Sequence, residues 1–255
     1  MSRPRLLLVS SFTELEWGIR PALEAWAEVA SCDMPGVGEE PLPDDFKIDP
    51  EQAVELLSSW RAAAVERGLA EVDRHGWERF VIAADSHGAP TAVGLAGERR
   101  DSVLGIALGH ASLSHATEGE RAPKRGEVWA ALAELTKHGS GEFVRYGIAQ
   151  MTRGGISEEV AKQMVERFPD MDLVSAMVEA LGRVPEPIGE DLAALDLPLL
   201  LAKHEGCLAR TDEGFEDIVA AFPNARTVIC PEQCSSSPEF AEALRAFCEA
   251  VAFSP

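Results

Sequence analysis

The sequence predicts an α/β fold: a mostly parallel sheet of about six strands, with helices on both faces and an inserted helical segment. Three observations lead there. Short apolar runs with strand character alternate with amphipathic stretches, and parallel strands need such crossover connections. The strand pattern stops between about 110 and 196 and then resumes. Each half closes its helices with recognisable caps, which keeps the elements distinct.

Taken in order, "RLLLVS" at 5–10 is the first strand. A helical pattern follows through "WGIRPALEAWAEV", and "VASCD" at 29–33 is the second strand. "MPGVGEEPLP" is loop by its Pro and Gly content. Asp49 followed by Pro50 marks a helix start that runs to about His75, where Gly76 stops it. "RFVIAA" at 79–84 is the third strand and "SVLGIAL" at 102–108 the fourth. From 110 to 196 only amphipathic helical segments separated by Gly, Pro and Ser occur, so residues 1–109 and 197–255 form the core and 110–196 a helical cap. "LPLLLAK" at 197–203 and "ARTVIC" at 225–230 complete the strands around the helix "DEGFEDIVAAF". "SPEFAEALRAFCEAV" closes the chain, with Ser237 as N-cap and Pro238 as first helical residue.

Composition narrows the function. With 255 residues and 46% hydrophobic content the chain can bury a sizeable core. Its 43 acidic and 23 basic residues give a net charge of −20, spread along the chain. Such a surface repels nucleic acid and anionic membranes, so neither is an expected partner. The apolar opening run is too short for a secretory signal, and nothing approaches the ~20 apolar residues of a membrane span. The expected location is the cytoplasm. The five cysteines, Cys32, Cys207, Cys230, Cys234 and Cys248, lack framework spacing and are expected as free thiols.

The stretch "RFVIAADSHGAPTAVGLAG" carries the chemistry. It reads as strand, sharp turn with one serine, then a helix of small residues. Ala84 and Gly88 stand two residues either side of Ser86, where a strained strand-to-helix turn has no room for larger side chains. Such a turn exposes the hydroxyl, and the helix N-terminus behind it offers backbone N–H groups to a developing oxyanion.

At these residues the chain resembles the α/β-hydrolase superfamily, over nearly its full length. "LLLVSSF" is similar to the family's first parallel strand and oxyanion loop, "CDMPGVGEEP" to its Asp-x-Pro-Gly-x-Gly loop, "AADSHG" to its nucleophile elbow, and "SPEFAEALRAF" to its last helix. The helical insertion lies where the family carries its cap. The resemblance implies Ser86 as nucleophile, the amides of His87 and Phe12 as oxyanion hole, and Ser11 beside them on the same loop. No metal and no cofactor is expected.

Two departures from the family pattern stand out. After the strand "LPLLLA" the family places its acid, whereas "KHEGCLART" has Gly206 or Cys207 there. In the loop after the last strand the family places its histidine, whereas "CPEQCSSSPEF" has none, and Cys234 lies nearest. His204, at the end of a strand whose loop approaches Ser86, is the best replacement base, with Glu205 or Glu232 to orient it. His110, ending the fourth strand, is the second choice, with His115 behind it. For each the plainer interpretation is a hydrogen-bonded loop or core histidine. His75 and His138, in last helical turns before glycines, are expected to be structural. Cys207 and Cys234 are expected as buried thiols, with an alternative acyl-carrying nucleophile or a redox pair as the other readings; a metal held by His204, Cys207 and Cys234 has too few ligands at poor spacing to be favoured.

Trp129, Phe143, Tyr146, Met151, Met164, Phe168, Met171 and Met177 give the cap adaptable apolar surface. Stripes of this spacing are ordinarily core, but a cap over strand ends also leaves an apolar pocket, with Trp129 and Tyr146 as substrate contacts. Arg121, Lys124 and Arg125 form a basic loop that is either merely solvated or a contact for a phosphate-bearing arm. The expected partner is a hydrophobic small molecule or a carrier-tethered acyl substrate, and a homodimer is admitted. Three functions stay open: serine-dependent acyl transfer or hydrolysis on an ester or thioester, ligand binding without chemistry, and a non-covalent lyase or isomerase.

Overall fold

The structure, a computed structural model, describes residues 3–10, 17–37, 41–110, 173, 176, 177, 179, 180, 188–205 and 212–252. Six strands form one sheet: β1 (Arg5–Val9), β2 (Glu28–Cys32), β3 (Phe80–Asp85), β4 (Val103–Gly109), β5 (Leu199–His204) and β6 (Arg226–Cys230). Their order is β2-β1-β3-β4-β5-β6 and every pairing is parallel. Between them lie α1 (Arg20–Glu24), α2 (Ala53–His75), α3 (Ala89–Glu98), α4 (Gly189–Ala194), α5 (Asp212–Ala221) and α6 (Pro238–Ala252).

The two sheet faces follow directly from side-chain alternation. Leu7, Val9, Ile82, Ala84, Ile106, Leu108, Leu199 and Leu201 pack against α2, α3 and α5. Leu6, Leu8, Val81, Ala83, Ala107, Leu200 and Ala202 pack against α1 and α6. Strands buried on both faces must be apolar throughout, which is why β1, β3, β4 and β5 are legible as continuous runs. At the sheet edge β6 is largely exposed except at Cys230. Met177 is buried in the larger of the two clusters together with Leu173, Ala176 and Ala180, as core rather than pocket lining.

The helix starts match their signals. Asp49 accepts from the Glu51 amide at 2.9 Å and opens a 3-10 turn, Pro50–Gln52, that leads into α2. Gly76 ends α2 in the left-handed conformation, with φ of 63°. His75 lies 3.2 Å from Glu71 in that last turn and its ring lies 5.0 Å from Trp77, a local structural role. The Ser237 carbonyl accepts from the Ala241 amide at the start of α6, while its hydroxyl donates to Glu239 at 2.6 Å. That bond holds the Glu239 carboxyl below its ordinary range.

One element is shorter than the sequence suggests. The helical pattern over 17–29 yields only α1, Arg20–Glu24, because the chain must enter β2 at Glu28 to pair with Arg5 of β1. Trp17 and Ile19 do not extend the helix; they pack into the α6 side, Trp17 stacking on Phe240 at 6.1 Å. Pairing and burial override a favourable helix propensity here. Among the described residues, no helix is long and apolar enough to cross a membrane.

Candidate active site

Strand β3 is buried along its whole length and ends at Asp85. The next residue, Ser86, has φ of +48°, in the left-handed region that L-residues other than Gly, Asn and Asp seldom occupy. Ser86, His87 and Gly88 form a 3-10 turn that feeds straight into α3. Ser86 and His87 are half-buried while Gly88 and Ala89 are buried, so the turn lifts the serine out of the core. A Cβ on Gly88 would lie 2.8 Å from the Val9 carbonyl oxygen and 3.1 Å from that of Ser10. The corner therefore packs directly on the end of β1, and glycine is required there.

A second left-handed residue stands on the adjoining strand. Asp85 pairs in register with Gly109, and His110, the next residue, also has φ of +48°. The turn breaks the strand's alternation and brings the His110 ring to the α1/α6 side. There His110 Nδ1 lies 3.0 Å from Asp85 Oδ1. The carboxylate is 1% exposed and the imidazole 9%, so the pair is withdrawn from water. On its other side His110 Nε2 meets His204 Nδ1, accepts from the His204 backbone N–H at 3.3 Å, and lies 3.9 Å from Cys234 Sγ. The two rings meet edge to face, 4.3 Å apart at their centroids. A Cβ on Gly109 would sit 3.0 Å from both Asp85 Oδ1 and Cys234 Cβ, so this glycine is what lets the cluster close.

The structure thus brings together His110, His204 and Cys234, residues far apart in sequence, beside the end of β3 that carries Ser86. Among the described residues, the Ser86 hydroxyl makes no hydrogen bond to His110 or His204; catalytic hydrogen bonds of this kind often tighten only around substrate. Glu205 is exposed and its backbone N–H donates to the Cys230 carbonyl at 2.8 Å. Neither its carboxylate nor that of Glu232 hydrogen-bonds His204 among the described residues. Ser11, Phe12, Trp129, Tyr146, Cys207, His115, His138, Arg121, Lys124 and Arg125 lie outside the described residues, as does most of the segment 110–196. Among the described residues, no group of three or more His, Cys, Asp or Glu side chains is arranged to hold a metal ion.

Asp85 is the member that sequence reasoning passed over. A signal was present: "FVIAAD" ends an otherwise wholly apolar buried strand in a carboxylate, and a buried carboxylate requires a partner. Cys230 and Cys234 complete the surroundings, both fully buried. A hydrogen bond from Cys234, aided by one from Ser237, holds the Cys230 thiol below its ordinary pKa against the opposing effect of burial.

Solved structures share this architecture over nearly the whole chain. A hydrolase from Oleispira antarctica superposes with a TM-score of 0.76 at 16% identity, covering 98% of this chain and 92% of its own. A thermophilic esterase from Thermogutta terrifontis gives 0.69 at 20% identity, covering 98% and 91%. A thioesterase domain from the curacin biosynthetic pathway gives 0.63 at 13% identity, again covering 98% and 91%. The chain has the α/β-hydrolase fold. No family model matches its sequence, and no curated protein sequence matches it.

Proposed function

We propose that this chain is a serine-dependent acyl-transfer enzyme that acts on hydrophobic esters or thioesters, with Ser86 as nucleophile and His204 as base. The observation that carries the proposal is the +48° φ of Ser86 on a half-buried turn between a parallel strand and a helix N-terminus. Such strain costs on the order of 1–3 kcal/mol, and at Ser86 it coincides with the sharp strand-to-helix turn that exposes a nucleophile.

In the proposed cycle His204 takes the hydroxyl proton as Ser86 Oγ bonds to the acyl carbon. The carbonyl electrons move to oxygen, where the amides of His87 and Phe12 stabilise them. Collapse expels an alcohol or thiol that receives the proton from His204, leaving Ser86 acylated. Water, or an amine or thiol acceptor, then attacks the acyl carbon as His204 takes its proton, and collapse breaks the bond to Ser86 Oγ, which regains the proton from His204 as the acyl product leaves. The segment 110–196 is proposed as the cap, with Trp129 and Tyr146 contacting the acyl part. The hydrolases and thioesterase of the same fold support ester chemistry in general.

A second reading, Cys234 as nucleophile on His110, has a geometric basis in the 3.9 Å approach of Sγ to Nε2. It is disfavoured because Cys234 is fully buried and the His204 backbone N–H already points at the same nitrogen. Turnover of p-nitrophenyl esters and aryl thioesters of increasing acyl length tests the proposal. Activity that grows with chain length and vanishes in Ser86→Ala is expected; activity intact in Ser86→Ala but lost in Cys234→Ala would transfer the chemistry to the thiol.

A further inference from the structure

The backbone N–H of His204 is a donor whatever the pH, and it points at His110 Nε2 from 3.3 Å. That nitrogen therefore carries a lone pair, so the ring proton of His110 is on Nδ1, 3.0 Å from Asp85 Oδ1. His204 Nδ1 faces the same lone pair and must donate to it. With Nδ1 carrying the proton, the neutral His204 ring has its lone pair on Nε2.

We propose that Asp85 is a positioning residue that fixes His110 as the Nδ1–H tautomer and, through it, presents His204 with its lone pair on Nε2. The carboxylate comes from the nucleophile's own strand, one residue before Ser86. It acts across two rings: when His204 gains a proton at Nε2, its Nδ1–H still donates to His110 Nε2, and the positive charge sits in the field of the buried carboxylate. No proton passes to Asp85. Gly109 belongs to the same device, since any side chain there would press on Asp85 Oδ1 and Cys234 together. The base role of His204 rests on the acyl-transfer proposal, whereas the tautomer assignment stands independently of it.

Histidine-selective ¹⁵N NMR on the full chain tests the assignment directly, with resonances identified by His110→Gln and His204→Gln. The wild type is expected to show both rings protonated at Nδ1, against the usual preference of free imidazole for Nε2–H. In Asp85→Asn the midpoint of His204 titration should fall, because its cation loses the carboxylate. Acylation of Ser86 should slow by about 10²–10⁴-fold with KM little changed. His110 found with its proton on Nε2 in the wild type would overturn the proposal whatever the variants do. So would an Asp85→Asn protein with unchanged His204 titration or unchanged acylation. A wild type that is never acylated would sink the Ser86 mechanism instead, and the tautomers would still decide the case of Asp85.

Discussion

Cys248 and Cys230 lie in one apolar cluster on the same side of the sheet, yet their thiols are treated oppositely. Burial pushes the Cys248 thiol up to about 12, and Cys32, on the other face, is pushed up to about 12 by the same desolvation. Cys230, at the carboxyl end of β6, is pulled below its ordinary value by the hydrogen bond from Cys234. The difference is one of side-chain neighbours: desolvation dominates at Cys32 and Cys248, whereas hydrogen bonds from the Cys234 and Ser237 side chains outweigh it at Cys230. The chain places Cys32 at the end of β2, where its thiol meets the carbonyls of Ala64 at 3.6 Å and Asp33 at 3.8 Å, and Cys248 on α6. At the carboxyl rim it buries Asp85, His110, Cys230 and Cys234 and supplies each with polar neighbours. Both left-handed residues that end strands, Ser86 and His110, are also at that rim. Ligands bind at this end of open parallel sheets, and here the expensive features of the molecule are gathered there.

The contrast breaks most severely if the rim loses its base. His204→Gln should lower acyl turnover by about 10²–10⁴-fold, with KM and thermal midpoint nearly unchanged; steady-state kinetics beside a melting curve separate the two. His110→Gln should produce a similar loss, since His204 then lacks its acceptor. Next in size is Gly88→Ala. Its new Cβ meets the Val9 carbonyl at 2.8 Å, a backbone atom that cannot swing aside, so about 1–3 kcal/mol of stability should be lost in urea titrations.

The interior thiols give a pH signature of opposite character. Cys32 and Cys248 stay protonated in the folded chain up to about 12, whereas in the unfolded chain they ionise from 9.0. Between those values the native state holds more protons, so stability falls as pH rises. The slope is about 1.4 kcal/mol per pH unit for each thiol. Urea unfolding above and below 9.0 should show this slope in the wild type and a shallower one in Cys248→Ala. The smallest effect isolates the strain itself. Ser86→Gly relieves the left-handed conformation at some entropic cost, and should be about 0.5–1 kcal/mol more stable than Ser86→Ala while equally inert.

How much of this was legible in the sequence follows the same division. The strands, all but one of the longer helices' boundaries and the Ser86 corner depend on local signals: apolar runs, caps, and small residues at Ala84 and Gly88. Those were readable. The helix expected through 17–29 was not, because where it ends is decided by the pairing of Glu28 with Arg5. The sequence offered His204, then His110, with His115 behind it, as candidate bases, but not the contact between the first two, which spans 94 residues of chain. Asp85 escaped because its role needs the register that sets it opposite Gly109, and a left-handed turn at His110 that no motif announces.

The most direct test of the account is intact-protein mass after treatment with a small, broad fluorophosphonate. One stoichiometric adduct on the wild type, absent in Ser86→Ala and slow to form in His204→Gln, is the result predicted. A folded wild type that acquires no adduct, or a Ser86→Ala protein that still does, would contradict it.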